Sequence, residues 1–241
     1  MKKNILRPII ILLLATITTS CGVGMFHRIN GDKNVVRKDR KLNNDFRAIK
    51  VSSGLALYIT QGNKTSLSIE ADENLHSIIL TEVKNGELHI YTEKSIWRAK
   101  ARKIHVTVKN LEELEVNSGS DAFTENILVT ANFNINVSSG AHAKIAVNAT
   151  NIAARASSGA KLKIMGATEN HTVSASSGST IYAYELKSKK ATVKSSSGGN
   201  ISVFASETLD AKASSGGDIV CRGNPKTITK KTSSGGRISA Q

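Results

Sequence analysis

The chain has 241 residues, with 33 Lys and Arg against 19 Asp and Glu, which gives a formal net charge of +14. Its 39% hydrophobic content excludes a chain that is disordered by composition, and its length suffices for a sizeable buried core. Two cysteines exclude a disulfide scaffold, and an aromatic content of 4% is too low for an ordinary globular enzyme core.

Residues 1–20 have the pattern of a secretory signal peptide. Three basic residues precede an apolar run over residues 9–17, which is too short to span a bilayer as a mature helix. Small residues then lead to Cys21, so the segment resembles the lipobox of bacterial lipoproteins, in which the cysteine is acylated and becomes the mature N-terminus. The sequence therefore predicts lipidation at Cys21; plain secretory cleavage beside an incidental cysteine is the alternative.

Residues 21–41 are rich in Arg and Lys and are predicted to form a basic linker near the membrane. The signal carries three positive charges and no acid, which leaves +11 on the mature chain. Because secretion separates the protein from DNA and RNA, no nucleic-acid partner is expected. The charge instead favours an anionic surface, such as lipid headgroups, lipopolysaccharide or an acidic polysaccharide.

Residues 42–116 contain short runs in which apolar and polar residues alternate, as in half-buried β-strands. These runs cover residues 46–51, 55–59, 66–69, 78–83, 88–91 and 104–108. Asn85-Gly86 lies between two of them and predicts a tight hairpin. Ser52-Ser53-Gly54 has the sequence that repeats further along the chain, so this region is predicted to continue into the repeats and to cap their N-terminal end.

Residues 117–241 contain a serial Ser-Ser-Gly repeat, preceded by one degenerate Asn-Ser-Gly copy. The glycines are Gly119, Gly140, Gly159, Gly178, Gly198, Gly216 and Gly235, with spacings of 21, 19, 19, 20, 18 and 19 residues. Residues three and five positions before and after each glycine are mostly apolar. This period of two predicts two short strands per repeat, with one buried face and the glycine at the corner between them.

A unit of about 19 residues cannot bury its own inward face, so successive units must stack, with equivalent residues about 4.8 Å apart. The sequence therefore predicts an all-β fold, a parallel β-solenoid with an N-terminal cap. Glycine suits a corner with positive φ, and the paired serines are expected to form hydroxyl ladders between coils. Lys230 breaks an inward apolar column, which predicts a capping last coil, whereas Cys221 occupies such a column as a buried, inert thiol.

An outward column of residues lies four positions before the glycines. Its members are Asn136, Arg155, Ser174, Lys194, Lys212 and Lys231. Like charges on neighbouring strands repel each other, and an anionic ligand would relieve that repulsion. We therefore predict an anion-binding site at Arg155, Lys194, Lys212 and Lys231, with a solvated face that discourages edge pairing as the alternative.

A second candidate site comprises Lys94, Trp97 and Arg98, in a segment that concentrates cations around the only tryptophan. An aromatic ring beside cations suits a membrane interface or the face of a sugar. The alternative is a long hairpin with Trp97 folded over the edge of a sheet.

No catalytic residue, metal or cofactor is predicted. The six histidines lack the spacing of helix or zinc-finger ligands, and the Ser-x-x-Lys string at Ser158 to Lys161 lacks the partner motifs of penicillin-recognising enzymes. The scattered Asp residues do not form the calcium-binding repeats of some β-helices. The sequence therefore predicts a protein that is not an enzyme.

The ordered set of motifs resembles the putative auto-transporter adhesin, head GIN domain family, also called DUF2807. The resemblance covers about residues 42–241 and is carried by residues 46–54, 58–62, 71–75 and 222–226 together with the serial corners. It implies a right-handed β-helix-like solenoid, found in secreted or lipid-anchored proteins of Bacteroidetes and their relatives. It implies no catalytic residues.

The predicted function is that of a lipid-anchored outer-membrane protein of the cell envelope, facing the periplasm or the exterior. It acts as a non-enzymatic adhesion, binding or scaffold protein, with anionic glycans as candidate ligands. One alternative is a structural or stress-response component that forms homo-oligomers through its open ends. The other is a carbohydrate-active β-helix enzyme.

Overall fold

The structure is a computed structural model that describes residues 28–42 and 45–240. These residues form a β-solenoid of about seven turns, in which parallel coils of about 19 residues stack as predicted. The strands of the repeat region are β10 (Glu113–Val116), β11 (Asp121–Thr124), β12 (Leu128–Val137), β13 (His142–Ala156), β14 (Lys161–Ala175), β15 (Thr180–Ala183), β16 (Leu186–Ser195), β17 (Asn200–Phe204), β18 (Thr208–Ala213), β19 (Asp218–Arg222), β20 (Thr227–Thr232) and β21 (Arg237–Ala240). The predicted signal peptide and Cys21 lie outside the described residues.

Each corner separates two faces of the solenoid. Face 1 consists of the strand segments that lead into the corners, and face 2 of those that leave them. On face 1, β12 pairs in parallel with the second half of β13, which pairs in turn with the second half of β14. The parallel ladder continues through β16, β18 and β20, while β15, β17, β19 and β21 extend face 2 in the same way.

The apolar residues around each corner form the core, as the alternation predicts. Ile164 and Val173, on the two faces of one coil, are 0% and 1% exposed. Ile164 stacks in register on Ile145, and Val173 stacks on Ala154 and Val193. The repeated small or branched side chains thus form continuous inward columns, and their burial provides the main driving force for stacking.

The corner is a tight turn in which two residues, and not only the glycine, adopt positive φ. Ser139 has φ 53° and Gly140 has φ 69°, and the N–H of Ala141 donates to the carbonyl oxygen of Ser138 at 3.1 Å. This geometry is that of a type I′ turn, which favours glycine at its second central position. The serine before each glycine is therefore held in a left-handed conformation that the repeat pattern did not predict.

The expectation of hydroxyl ladders at the corners is wrong. The corners stack through the backbone, because the N–H of Gly140 donates to the carbonyl oxygen of Ser158 in the next coil at 3.0 Å. The same bond recurs from Gly159 to Ser177 and from Gly178 to Ser197, at 3.0 and 3.1 Å. Since the turn already directs these groups along the solenoid axis, the corner needs no side-chain ladder.

The coils also have a third side, opposite the corners, so β13 and β14 each extend over 15 residues instead of splitting into two short strands. Leu128, Val147, Gly166 and Leu186 are in register on this side. Gly166 has φ 124°, and a Cβ there would lie 2.1 Å from the carbonyl oxygen of Val147. A coil of about 19 residues is too long for two short strands alone, and its pairing therefore continues round the bend.

The N-terminal cap is continuous with the solenoid, as its corner sequence predicts. Its strands are β1 (Arg28–Asn30), β2 (Val35–Arg40), β3 (Ala48–Val51), β4 (Ala56–Gln61), β5 (Ser66–Asp72), β6 (Ile79–Lys84), β7 (Glu87–Thr92), β8 (Ser95–Arg98) and β9 (Arg102–Val108), with a short 3-10 helix at Glu73–Leu75. Strand β3 pairs in parallel with β10, and β4 with β11, so the Ser53-Gly54 corner stacks on the next coil. Asn85 and Gly86 form the predicted hairpin between β6 and β7.

The prediction of a linker over residues 21–41 is wrong for the part that the structure describes. Strand β2 pairs antiparallel with β5 over six residue pairs, from Val35 with Asp72 to Arg40 with Leu67. The Arg37 Nε also donates to Ser68 Oγ at 2.9 Å. The charged residues of this segment therefore belong to an edge strand, whose outer side faces solvent and so tolerates them. Residues 21–27 lie outside the described part of the chain.

The C-terminal coil has an open inward face. All six residues of β20 are exposed, including Ile228 at 44%, and Lys230 stands where earlier coils bury an apolar side chain. Strand β21 is buried only in part, at Ile238 and Ala240. Across residues 28–42 and 45–240, no helix has the length and apolar character needed to cross a membrane.

Candidate binding surface

The predicted outward column exists on face 1. Arg155 is in register with Ser174, Ser174 with Lys194, Lys194 with Lys212, and Lys212 with Lys231. Arg155, Lys194 and Lys212 are exposed between neighbours that point into the core, and Lys231 is exposed on the last coil, where every residue of the strand is exposed. We call Arg155, Lys194, Lys212 and Lys231 the basic column; it places four cations on five adjacent strands about 4.8 Å apart.

The basic column lacks acidic partners, unlike the cap end of the same row. Towards the cap, the same row of residues continues through Glu115 and Lys50, whose side chains form an ion pair at 2.9 Å. None of the four cations of the basic column has a carboxylate oxygen within 4.0 Å in the described chain. At one end the row is neutralised internally, and at the other its charge faces solvent.

The surroundings of the basic column are polar and include two carboxylates. Arg155 lines a shallow depression of about 280 Å³ with Asn134, Asn136 and Glu113. Asp210 lies one row away, in register with Thr192, and its Oδ1 has no hydrogen-bond partner among the described residues. The amides and hydroxyls provide both donors and acceptors beside the cations, a combination that suits an extended anionic chain with hydroxyl groups.

Some cations on the other sides of the repeats have acidic partners. Lys163 forms an ion pair with Glu185 at 2.7 Å, and His142 lies 3.5 Å from Asp121. On the third side, Lys189 pairs with Glu169 at 2.9 Å. Lys144, Lys161, Arg222 and Arg237 on face 2 have no carboxylate oxygen within 4.0 Å in the described chain. The basic column is therefore distinguished by its alignment along one row of adjacent strands, and not by being the only unpaired charge of the repeats.

The second predicted site lies at the other end of the molecule, in the cap. Lys94, Trp97 and Arg98 are exposed on or next to β8, which pairs in parallel with β1. The hairpin of the alternative is wrong, because β8 pairs in parallel with β1. Trp97 is 56% exposed, and the guanidinium of Arg28 lies 4.3 Å from the centre of the indole ring. The two predicted sites are therefore separate surfaces, one in the cap and one on the repeats.

A buried carboxylate that the sequence did not reveal fixes the cap next to Trp97. Asp72 is 0% exposed and accepts hydrogen bonds from the N–H groups of Ala101 at 2.9 Å, Lys100 at 3.0 Å and Lys33 at 3.0 Å. Burial would raise the pKa of the Asp72 carboxyl, but these bonds outweigh burial and lower the pKa. No local pattern could have indicated this site, because its donors come from distant segments.

Two titratable groups lie in the core of the repeats. His171 is 1% exposed, neither of its ring nitrogens has a hydrogen-bond partner in the described chain, and burial lowers its pKa to about 4. Cys221 is fully buried, and burial raises the pKa of its thiol, as the prediction of an inert cysteine requires. Within the ranges that the structure describes, no three His, Cys, Asp or Glu side chains group as metal ligands.

The fold is also that of several solved proteins from Bacteroidetes. A putative adhesin from Bacteroides fragilis superposes with a TM-score of 0.83 and 23% identity, covering 88% of this chain and all of that one. A putative lipid binding protein from Parabacteroides distasonis gives a TM-score of 0.70 at 24% identity, with 89% of this chain and 99% of that one covered. A putative adhesin from Parabacteroides merdae gives the same TM-score and coverage at 16% identity. At these identities the likeness shows the fold alone.

No curated protein matches the chain at a significant level. The family model described as "Putative auto-transporter adhesin, head GIN domain" matches residues 45–225, which comprise most of the cap and nearly all of the repeats. The resemblance in the corner motifs, the stacked coils and this match agree, and the chain belongs to the DUF2807 family of head GIN domain proteins.

Proposed function

We propose that the protein is a lipid-anchored component of the cell envelope that acts without enzymatic activity, by adhesion to anionic glycans through the basic column. The family and two of the solved neighbours are described as putative adhesins, and their sources suit an envelope location. Cys21 carries the anchor in this proposal and holds the solenoid at the outer membrane.

One observation carries the proposal: Lys194, Lys212 and Lys231 occupy adjacent strands without acidic partners in the described chain. Neighbouring ammonium groups repel each other by about 1 kcal/mol per pair even in water. Phosphate, sulfate or carboxylate groups of a polymer that binds along the row would reduce this repulsion. The regular spacing lets one chain of repeating anions contact several coils, so that weak contacts add up.

The ligand test compares three proteins on immobilised heparin and on lipopolysaccharide. The first is wild type, and the second carries Lys194→Gln, Lys212→Gln and Lys231→Gln. The third is a control with Lys64→Gln, Lys109→Gln and Lys226→Gln, which removes the same charge from exposed and dispersed positions. We expect the column variant alone to elute at markedly lower salt, because binding depends on the arrangement of charge and not on its total. Equal retention of all three proteins would rule out the basic column as the site.

The anchor is tested separately. Cells expressing the wild type should incorporate labelled palmitate into the protein, and cells expressing Cys21→Ala should not. Protease treatment of intact cells then distinguishes a surface-facing protein from a periplasmic one. Incorporation into the Cys21→Ala protein, or none into the wild type, would contradict the anchor without affecting the ligand test.

A further inference from the structure

A β-bulge displays Trp97 on the outside of the cap. In the pairing of β1 with β8, Ile29 lies opposite Ile96 and Asn30 lies opposite Arg98, so Trp97 is the additional residue without a partner. Bulges redirect side chains and often do so at functional positions. Here the result is an indole ring on the cap surface that is 56% exposed.

Four cations lie on the two strands and the turns around Trp97. Arg28 stacks on it at 4.3 Å, and Lys94, Arg98 and Lys100 are exposed on the same strand and its flanking turns. None of these four cations forms an ion pair with a described carboxylate. We call Arg28, Lys94, Trp97, Arg98 and Lys100 the Trp97 patch. It combines an amphipathic ring with unneutralised positive charge, as interfacial segments of membrane proteins do.

The Trp97 patch is part of the folded cap and not a free loop. The side chains of Ile29 and Ile96 pack against the core, and the N–H of Gly31 donates to the carbonyl oxygen of Arg98 at 2.7 Å. The Asp72 carboxylate holds the following turn through the N–H groups of Lys100 and Ala101. The backbone that carries the ring and the cations therefore has a fixed arrangement, which reduces the entropy lost on binding.

The position of the patch in the chain places it near the proposed anchor. Arg28, which stacks on Trp97, follows Cys21 by seven residues. Even a fully extended segment of that length spans at most about 25 Å. An acyl group on Cys21 would thus keep the patch within about 25 Å of the lipid headgroups and at a high effective concentration there.

We infer that the Trp97 patch docks onto the anionic headgroups of the leaflet that holds the Cys21 acyl group. This inference rests on the proposed lipid anchor. Trp97 enters the interface, Arg28, Lys94, Arg98 and Lys100 contact lipid phosphates, and the cap becomes the membrane-facing end of the solenoid. The repeats then extend away from the bilayer, and the basic column lies on the distal part of the molecule.

The test uses Trp97 as a built-in probe, because it is the only tryptophan in the chain. The mature chain, as expressing cells produce it, is reconstituted into vesicles of phosphatidylcholine alone, or of equal amounts of phosphatidylcholine and phosphatidylglycerol. Flotation reports the anchor, and Trp97 emission with quenching by brominated lipid reports docking. We expect a blue shift and at least about twofold stronger quenching in the anionic vesicles, where each cation gains from the surface potential.

Variants then separate the patch from general charge. Arg98→Gln with Lys100→Gln should abolish the difference between the two vesicles, while the control Lys194→Gln with Lys212→Gln should keep it. If the double variant loses its β-sheet circular dichroism, Lys94→Glu replaces it in the comparison of the two vesicles. Lys94 lies in a turn, and its replacement changes the net charge by the same amount. Retention of the difference in the folded patch variants would overturn the inference.

The two proposals fail in distinguishable ways. A chain that does not float with either vesicle refutes the anchor and, with it, this inference. A chain that floats but has the same water-like Trp97 emission in both lipids refutes the inference alone. A blue shift with soluble anionic glycan in place of vesicles would assign the patch to sugar binding and also refute docking to lipid.

Discussion

The backbone N–H of Gly159 donates to the carbonyl oxygen of Ser177 in the next coil at 3.0 Å. This bond joins two corners that each contain a serine and a glycine with positive φ. The repeated tripeptide thus turns the chain and also provides the hydrogen bonds that hold successive coils together. Some glycines at and just after these corners are needed for their positive φ and others because a side chain would not fit, and mutation can distinguish the two requirements.

Gly159 and Gly217 are needed for different reasons. Gly159 has φ 71° and open space around its Cβ position, whereas a Cβ at Gly217 would lie 2.6 Å from backbone atoms of Ser195. Gly159→Ala should cost about 1–2 kcal/mol of stability through backbone strain, and Gly159→Asn less, since Asn tolerates the left-handed region. Gly217→Ala should cost about 1–3 kcal/mol through overpacking, and Gly217→Asn at least as much.

Urea unfolding of these four variants provides the measurement. The decisive quantity is the difference in the free energy of unfolding between the Asn and the Ala variant at each position. The Asn variant should be the more stable of the two at Gly159 and the less stable at Gly217. An equal response at both positions would mean that one mechanism governs both, contrary to the geometry.

His171 makes stability depend on pH. Burial lowers its pKa in the folded protein to about 4 from an ordinary value of 6.5. As the pH falls from 6.5 to 4, the unfolded chain binds a proton that the folded protein excludes, so the free energy of unfolding decreases by about 3 kcal/mol. His171→Leu, which suits a column with Ile152 and Leu209, should remove this loss.

Thermal unfolding between about pH 7 and pH 4 tests this effect, with Ile152→Val as the control. Ile152 lies in the same column as His171 and has no titratable group, so its replacement should leave the pH dependence as in the wild type. An unchanged pH dependence in His171→Leu would show that another group is responsible.

Lys230 is expected to oppose association of molecules through the open C-terminal end of the solenoid. It lies in register with Ala211, which is fully buried, and so places a charge in the inward column of the last coil. Inward charges on edge strands oppose pairing between molecules. Lys230→Val should therefore produce a concentration-dependent increase in mass in analytical ultracentrifugation. Lys231→Val alters the outward side of the same strand, and it should leave the mass distribution as in the wild type; an equal increase in mass in both variants would contradict this role.

The coils could be predicted from the sequence because each one buries the same face of its strands. Apolar residues such as Ile164 and Val173 therefore alternate with polar ones, and the register follows from the glycine spacing. That register places Lys194, Lys212 and Lys231 side by side, as the sequence predicts. The left-handed corner serines were missed because their strain is offset by stacking and has no signature in local preferences.

The cap was harder to predict because it depends on contacts between distant segments. Strand β2 is charged on its outer side and lacks the apolar alternation of a strand with a buried face, so it was interpreted as a linker. Asp72 and the bulge at Trp97 depend on segments far apart in the chain. An isolated Asp or Trp does not indicate such partners, and only the assembled fold does.

The alignment of the basic column can be measured directly by disulfide formation. The Cα atoms of neighbouring residues on adjacent parallel strands are about 4.8 Å apart, a distance that a disulfide can span. The Cα atoms of residues two strands apart are separated by about 10 Å, which is too far for a disulfide. With Lys194→Cys and Lys212→Cys, mild oxidation should give rapid intramolecular cross-linking, and with Lys194→Cys and Lys231→Cys it should give none. Cross-linking of the second pair but not the first would contradict the stacking of coils on which the basic column depends.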